Sequence, residues 1–250
     1  MKNLLLFDVD GTITESGEKI KNDMASIMNY MKTENTEIGI VGGGQMDKIT
    51  KQLDDKICFD HYFTECGCVY IQSIDKSLFE IYTKNIREHN TYPAINILIK
   101  TALNFLSQVD YTITGNFIDL RNGIIYVSLI GLSANSQERQ IFMELDKTHQ
   151  YRQQLLSILH NKARDLDIID KVDIVEGGRV GIAIYPTEYD KIQVLESLSK
   201  DEYHQIYYFG DKYGVNGNDY QLINSDRVIG VKVDSLDDTM EFLKKLTFDA

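Results

Sequence analysis

The chain uses the same local grammar at both of its ends, and this restricts its fold more than any other feature. Near the start, the apolar run Leu4 to Phe7 is short enough for a strand and stops at Asp8 and Asp10. Ile20, Met24, Ile27, Met28 and Met31 follow at spacings of four, three, one and three, which places them on one helical face. A second run, "IGIV" from Ile38, ends at Gly42, Gly43 and Gly44 and leads into a helix carrying Met46, Ile49 and Leu53. Far downstream, Ile192, Leu195 and Leu198 predict a helix, "IYYF" from Ile206 a strand ending in "GDKYGVNGND", "VIGVKV" from Val228 another strand, and Leu236, Met240 and Leu243 a last helix. Strands alternating with amphipathic helices predict a doubly wound parallel sheet to which both chain ends contribute, with ligands at the carboxyl ends of its strands.

The middle reads differently. "NFIDLRNGIIYVSLIG" is two strands around an Arg-Asn-Gly turn, which is hairpin chemistry, and a long helical stretch with Leu155, Leu156 and Leu159 follows. This predicts an α+β insert at residues 84–183 that folds as a cap over a core made of residues 1–83 and 184–250. A chain of 250 residues is long enough for two such domains.

A formal net charge of -12 disfavours nucleic acid and anionic lipid as partners, although a metal or a few arginines can reverse the field within one cleft. Nowhere do about 18 apolar residues run together, so neither a membrane span nor a signal peptide is expected, and the cytoplasm is the expected compartment. Cys58, Cys66 and Cys68 lack zinc-ligand spacing and read as reduced thiols.

Asp8, Asp10, Asp211 and Asp219 all fall at strand ends of the expected sheet. Carboxylates crowded in one crevice cannot all stay ionised without a cation, and Mg²⁺ is the hard ion that one or two carboxylates plus substrate phosphate hold. Asp8, nearest the strand, is then the nucleophile that forms an aspartyl phosphate, and Asp10 the acid and base that serves the leaving and entering oxygens. Gly42 to Gly44 offer backbone N–H groups to an anion, and Lys191 brings a positive charge to the transferring phosphoryl group. Each residue also has a plainer reading. An Asp-x-Asp pair serves as a turn, three glycines as a tight turn, and Asp219 as a loop carboxylate or helix cap rather than a metal ligand. Arg121 beside a hairpin turn is unremarkable, and Arg139 suits an i, i+4 ion pair on a helix.

"LLLFDVDGTIT", "IGIVGGG", "FTECG", "FIDLRNG", "SQERQIFMELD", "YPTEYDK", "YFGDK" and "GNDYQLI" together resemble the haloacid dehalogenase-like (HAD) phosphotransferases and, within them, the eukaryotic phosphomannomutase family, nearly end to end. The resemblance implies Asp8 as nucleophile, Asp10 as acid/base, Lys191 as the phosphate-stabilising lysine, and Mg²⁺ held by Asp8, the main-chain carbonyl of Asp10 and Asp211. It further implies a cap that binds a hexose phosphate through Arg121 and Arg139, interconversion of mannose 6-phosphate and mannose 1-phosphate, and a homodimer formed through the caps.

Six positions depart from that pattern. Gly17 and Leu132 stand where arginines are expected, Gly181 and Ala183 where a serine and an aspartate meet the sugar, Gly44 where a serine stands and Cys66 where an asparagine stands. Each lost charged contact to phosphate costs about 1.5 to 3 kcal/mol. A HAD-type phosphatase is therefore the rival expectation, since a mutase that loses its intermediate hydrolyses the same aspartyl phosphate. A binding protein on the same fold is a third, opposed by the presence of Asp8, Asp10, Lys191 and Asp211.

Overall fold

Strands and helices alternate from the first residues of the computed structural model, which describes residues 1–199, 201–215 and 217–247. The chain begins with β1 (Lys2–Phe7), α1 (Asn22–Met31), β2 (Thr36–Val41), α2 (Met46–Leu53), β3 (His61–Thr64), β4 (Val69–Ile74) and β5 (Ser77–Thr83). It continues through α3 (Tyr92–Leu106), β6 (Ile118–Leu120), β7 (Ile125–Ser128), α4 (Ser136–His149), α5 (Tyr151–Asp165), β8 (Val172–Gly177) and β9 (Gly181–Pro186). It returns with β10 (Tyr203–Gly210), α6 (Tyr220–Ile223), β11 (Ile229–Lys232) and α7 (Leu236–Lys245). Two compact units result, Met1–Thr83 with Asp190–Ala250, and Lys84–Tyr189.

The first unit is built on a seven-stranded sheet in the order β11-β10-β1-β2-β3-β4-β5. The strands from β11 to β3 run parallel, whereas β4 and β5 add on antiparallel. β1 lies inside the sheet, and it is apolar without interruption from Leu4 to Phe7 because both of its faces are covered there. Its side chains alternate: Leu5 and Phe7 join α1, α2 and α7 in one core, while Leu4 and Leu6 join Val194, Leu195, Leu222 and Ile223 in the other. The helix expected from Ile192, Leu195 and Leu198 is a 3-10 helix, Lys191–Ser197. Ile192, Leu195 and Leu198 recur every three residues, which is the 3-10 period, and Leu195 and Leu198 are buried by it. β4 and β5 turn on Asp75 and Lys76, both with positive φ (50° and 64°), as a two-residue hairpin requires.

In the second unit, four antiparallel strands in the order β6-β7-β9-β8 back onto α3 and α5 around a core that includes Leu98, Ile125, Val127, Leu155 and Ile182. Asn135 and Glu138 close α4 with a reciprocal capping box (2.9 and 2.7 Å). The expected end of the insert at residue 183 falls inside β9. That strand pairs along its length with β8, so the unit runs on to Tyr189.

A polar network pins β2 to its neighbours. The Glu37 carboxylate accepts from His61 Nε2 (2.9 Å), the Tyr203 hydroxyl (2.6 Å) and Lys2 Nζ (2.5 Å), and His61 Nδ1 meets the Tyr70 hydroxyl at 2.9 Å. The bond from His61, outweighing burial, holds the Glu37 carboxyl at about 2 against an ordinary 4.5. A depressed folded-state value gives stability that is full above 4.5 and is lost as pH falls toward 2. Urea unfolding at pH 7 and pH 3 is therefore expected to show a drop in stability that Glu37→Gln makes smaller by roughly 2 kcal/mol.

Candidate active site

β1 and β10 are neighbours, and their carboxyl ends bring distant residues together. Asp8 leaves β1 with its N–H on the Phe209 carbonyl (2.9 Å), Asp211 follows the last residue of β10, and Asp219 precedes α6. One carboxylate oxygen from each of Asp8, Asp211 and Asp219 lies within 4.8 Å of the others. Lys191, wholly buried, reaches Asp8 Oδ1 at 2.6 Å and Asp219 Oδ1 at 2.7 Å. Asp219 Oδ1 also accepts from the Tyr208 hydroxyl, and its Oδ2 from the Lys212 N–H (2.9 Å). Gly11 lets the first loop pass this close, since a Cβ there would stand 2.5 Å from Asp211 Oδ2.

Three carboxylates against one buried ammonium leave a deficit of two charges, which is what a divalent cation supplies. Asp211 Oδ1 is buried without a hydrogen bond, and its only cationic neighbour among the described residues is the half-exposed Lys212 ammonium at 3.7 Å. Both oxygens of Asp219 accept hydrogen bonds, as does Asp8 Oδ1, and the carboxylates of Asp8, Asp211 and Asp219 together form the group that could hold a metal.

The Asp10 side chain is elsewhere. It accepts from Lys48 Nζ (2.7 Å), Gln52 Nε2 (2.8 Å) and the Gly17 N–H (2.8 Å), and these bonds overcome burial to hold it below the usual carboxylate range. β1 ends at Phe7, so strand alternation no longer aims Asp10 alongside Asp8. Any part Asp10 takes in holding a metal falls to its main-chain carbonyl. Gly42 spends its N–H on the Phe63 carbonyl (2.9 Å), which leaves Gly43 and Gly44 in the turn ahead of α2. Arg121 and Arg139 belong to the second unit. Arg121 Nε pairs with Asp119 at 2.7 Å. Arg139 makes no i, i+4 ion pair among the described residues and donates to the Leu132 and Ala134 carbonyls (both 2.9 Å). Sequence reasoning passed over Tyr208, Lys48 and Gln52. The one available signal was the tyrosine pair Tyr207 and Tyr208 near the end of β10, with Tyr208 three residues ahead of Asp211.

A sequence model of the eukaryotic phosphomannomutase family matches residues 24–249. Phosphomannomutase 1 of Dictyostelium discoideum is 34% identical over 249 residues, 98% of this chain and 96% of its own length. The phosphomannomutase of Saccharomyces cerevisiae is 33% identical over 252 residues, 98% and 94% of the two chains. This chain belongs to the eukaryotic phosphomannomutase family. Solved structures show the fold of this phosphomannomutase relative to be HAD-like. An IMP-bound Plasmodium falciparum IMP-nucleotidase superposes with a TM-score of 0.65 at 14% identity, covering 97% of this chain and 67% of that one. A trehalose-6-phosphate phosphatase related protein does so with a TM-score of 0.53 at 16% identity, covering 96% and 95%. Among the described residues of this family member, no helix is long and apolar enough to cross a membrane.

Electrostatics divide the labour among the family member's buried groups. Burial pushes the Asp8 carboxyl up to about 7, against the pull of Lys191. Burial opposes ionisation of Asp219 as well, but Lys191 and Tyr208 hold it below the usual carboxylate range. Lys191, which burial alone would neutralise, is kept charged by Asp219 and Asp8. Removing the ammonium leaves two buried carboxylates uncompensated, so Lys191→Met is expected to cost about 3 to 5 kcal/mol in urea unfolding at pH 7. Asp8→Asn, which removes surplus negative charge, is expected to cost less than Lys191→Met in the same measurement.

Proposed function

We propose that this enzyme interconverts mannose 6-phosphate and mannose 1-phosphate through an aspartyl phosphate on Asp8. The observation that supports the reading most strongly is the buried Asp8–Lys191–Asp219 chain beside an orphaned Asp211 oxygen. Asp8 attacks phosphorus as the bond to the sugar oxygen breaks; for Asp10 to give that oxygen a proton, its side chain has to release Lys48, Gln52 and the Gly17 N–H, take up a proton and turn toward Asp8. In the other half-reaction Asp10 takes the proton of a sugar monophosphate's free hydroxyl as that oxygen attacks the aspartyl phosphate, which frees Asp8 and forms the bisphosphorylated sugar from which Asp8 then takes the other phosphoryl group. Lys191 stays beside the reacting carboxylate and offsets charge on the phosphoryl oxygens. Mg²⁺, held by Asp8, Asp211 and the Asp10 carbonyl, neutralises phosphoryl charge when bound. Gly43 and Gly44 offer N–H groups to the anion, and the second unit receives the sugar phosphate through Arg121 and Arg139. Cys58, Cys66 and Cys68, which form no disulfide among the described residues, support the reducing cytoplasm as the working compartment.

A phosphatase is the second reading, and two residues favour it. Gly17 gives its N–H to Asp10, and Leu132 gives its carbonyl to Arg139 and its N–H to the Asn116 carbonyl, so neither brings a cation with which to retain a bisphosphorylated sugar. The two readings separate when purified protein with Mg²⁺ and a hexose bisphosphate activator is given mannose 1-phosphate, and mannose 6-phosphate and free phosphate are followed independently. Isomer without phosphate is the expected result, and phosphate release without isomer sinks the mutase. Chelation is expected to stop turnover and added MgCl₂ to restore it. Asp8→Asn, folded by circular dichroism, is expected to fall at least roughly a thousandfold in turnover.

A further inference from the structure

The seven-stranded sheet of the first unit ends at β5, and no strand among the described residues pairs with that strand's outer edge. An unpaired edge presents backbone N–H and C=O groups to any extended chain, and sheets blunt it with lysines, prolines or a covering loop. Within β5 the one charged side chain is Glu80. Leu78, Phe79 and Ile81 are each about half exposed, as is Ile74 just ahead of the turn. Leu78 and Phe79 are consecutive and so point to opposite faces, which makes both sides of this edge apolar.

The strand is complementary to itself at one register. A register shift beyond Glu80 ends the part of β5 that runs evenly along β4, so the regular edge is the short stretch from the turn at Lys76 to Glu80. Two copies of one strand pair antiparallel about a two-fold axis perpendicular to the sheet, and that axis keeps every side chain on its own face. Residues an even number of positions apart then stand opposite one another. Centred on Leu78, the axis sets Leu78 against its counterpart and Glu80 against Lys76 twice, with Phe79 over Ser77 on the other face. Centred on Phe79 it would set Glu80 against Leu78, and centred on Glu80 it would bring two like charges together. Glu80 and Lys76 are both exposed, and neither is in an ion pair among the described residues.

We propose that β5 is a self-association edge, where a second copy of this chain extends the sheet by antiparallel β5–β5 pairing centred on Leu78 and flanked by two Glu80–Lys76 pairs. Ile74, Leu78, Phe79 and Ile81 offer on the order of 300 Å² of exposed apolar surface per copy. Doubled, this falls short of the roughly 1,200 Å² at which stable interfaces begin, so the pair is weak and forms at about 10 to 100 μM chain.

Sedimentation of the full-length protein between about 1 and 300 μM tests the pairing. The weight-average mass is expected to rise across this range. Glu80→Lys and Lys76→Glu, each of which sets like charges opposite one another, are expected to weaken association about tenfold or more, and the two together to restore it to within about threefold of wild type. Leu78→Lys, which puts two ammonium groups on the axis, is expected to abolish it. A mass that stays constant throughout leaves the edge to a different occupant and overturns the proposal. Association that Glu80→Lys leaves unchanged, or that the double exchange fails to restore, overturns it as well.

Discussion

The bond between Lys191 and Asp8 ties together residues 183 positions apart, and most of the catalytic unit depends on it. Asp8 ends the central strand, while Lys191 stands where the chain re-enters the first unit after the insert. Neither charge tolerates burial alone, so the site assembles only when the returning segment has docked and β10 has paired with β1. Completion of the fold and completion of the charge arrangement are thus one event. Asp219 and Tyr208 come with the same returning segment and hold the ammonium from its far side.

Where periodicity was clear, the fold was legible in the sequence. The runs at Leu4, Ile38 and Ile206 became buried parallel strands, and Met24, Met28, Ile49 and Leu53 became the inner faces of two helices. Between His61 and Thr83 no such signal exists. β3 has only four residues, and the β4–β5 turn uses Asp75 and Lys76 in the left-handed region instead of the Asn-Gly pair that advertises a hairpin. β5 also lies at a sheet edge with Leu78, Phe79 and Ile81 about half exposed, so its composition does not alternate.

The candidate site divides in the same way. Asp8, Asp211, Asp219 and Lys191 could be found because each sits at a strand end or helix start that the apolar pattern marks. Asp10 was found, but the direction of its side chain depends on a loop that has left the strand, and its partners Lys48 and Gln52 come from one face of α2. Tyr126 of β7, whose ring lies against Gly177 and Gly181, was invisible for another reason. An aromatic in a strand looks like core filling until its neighbours prove to be glycines across a sheet.

Those glycines also constrain substitution. No side chain fits at position 181 while the ring occupies 126, because even a methyl group would stand 2.4 Å from it. The Val127 carbonyl oxygen, 2.5 Å from the same point, closes the position from the backbone side as well, so a substitution at 181 has to move both the ring and the neighbouring strand.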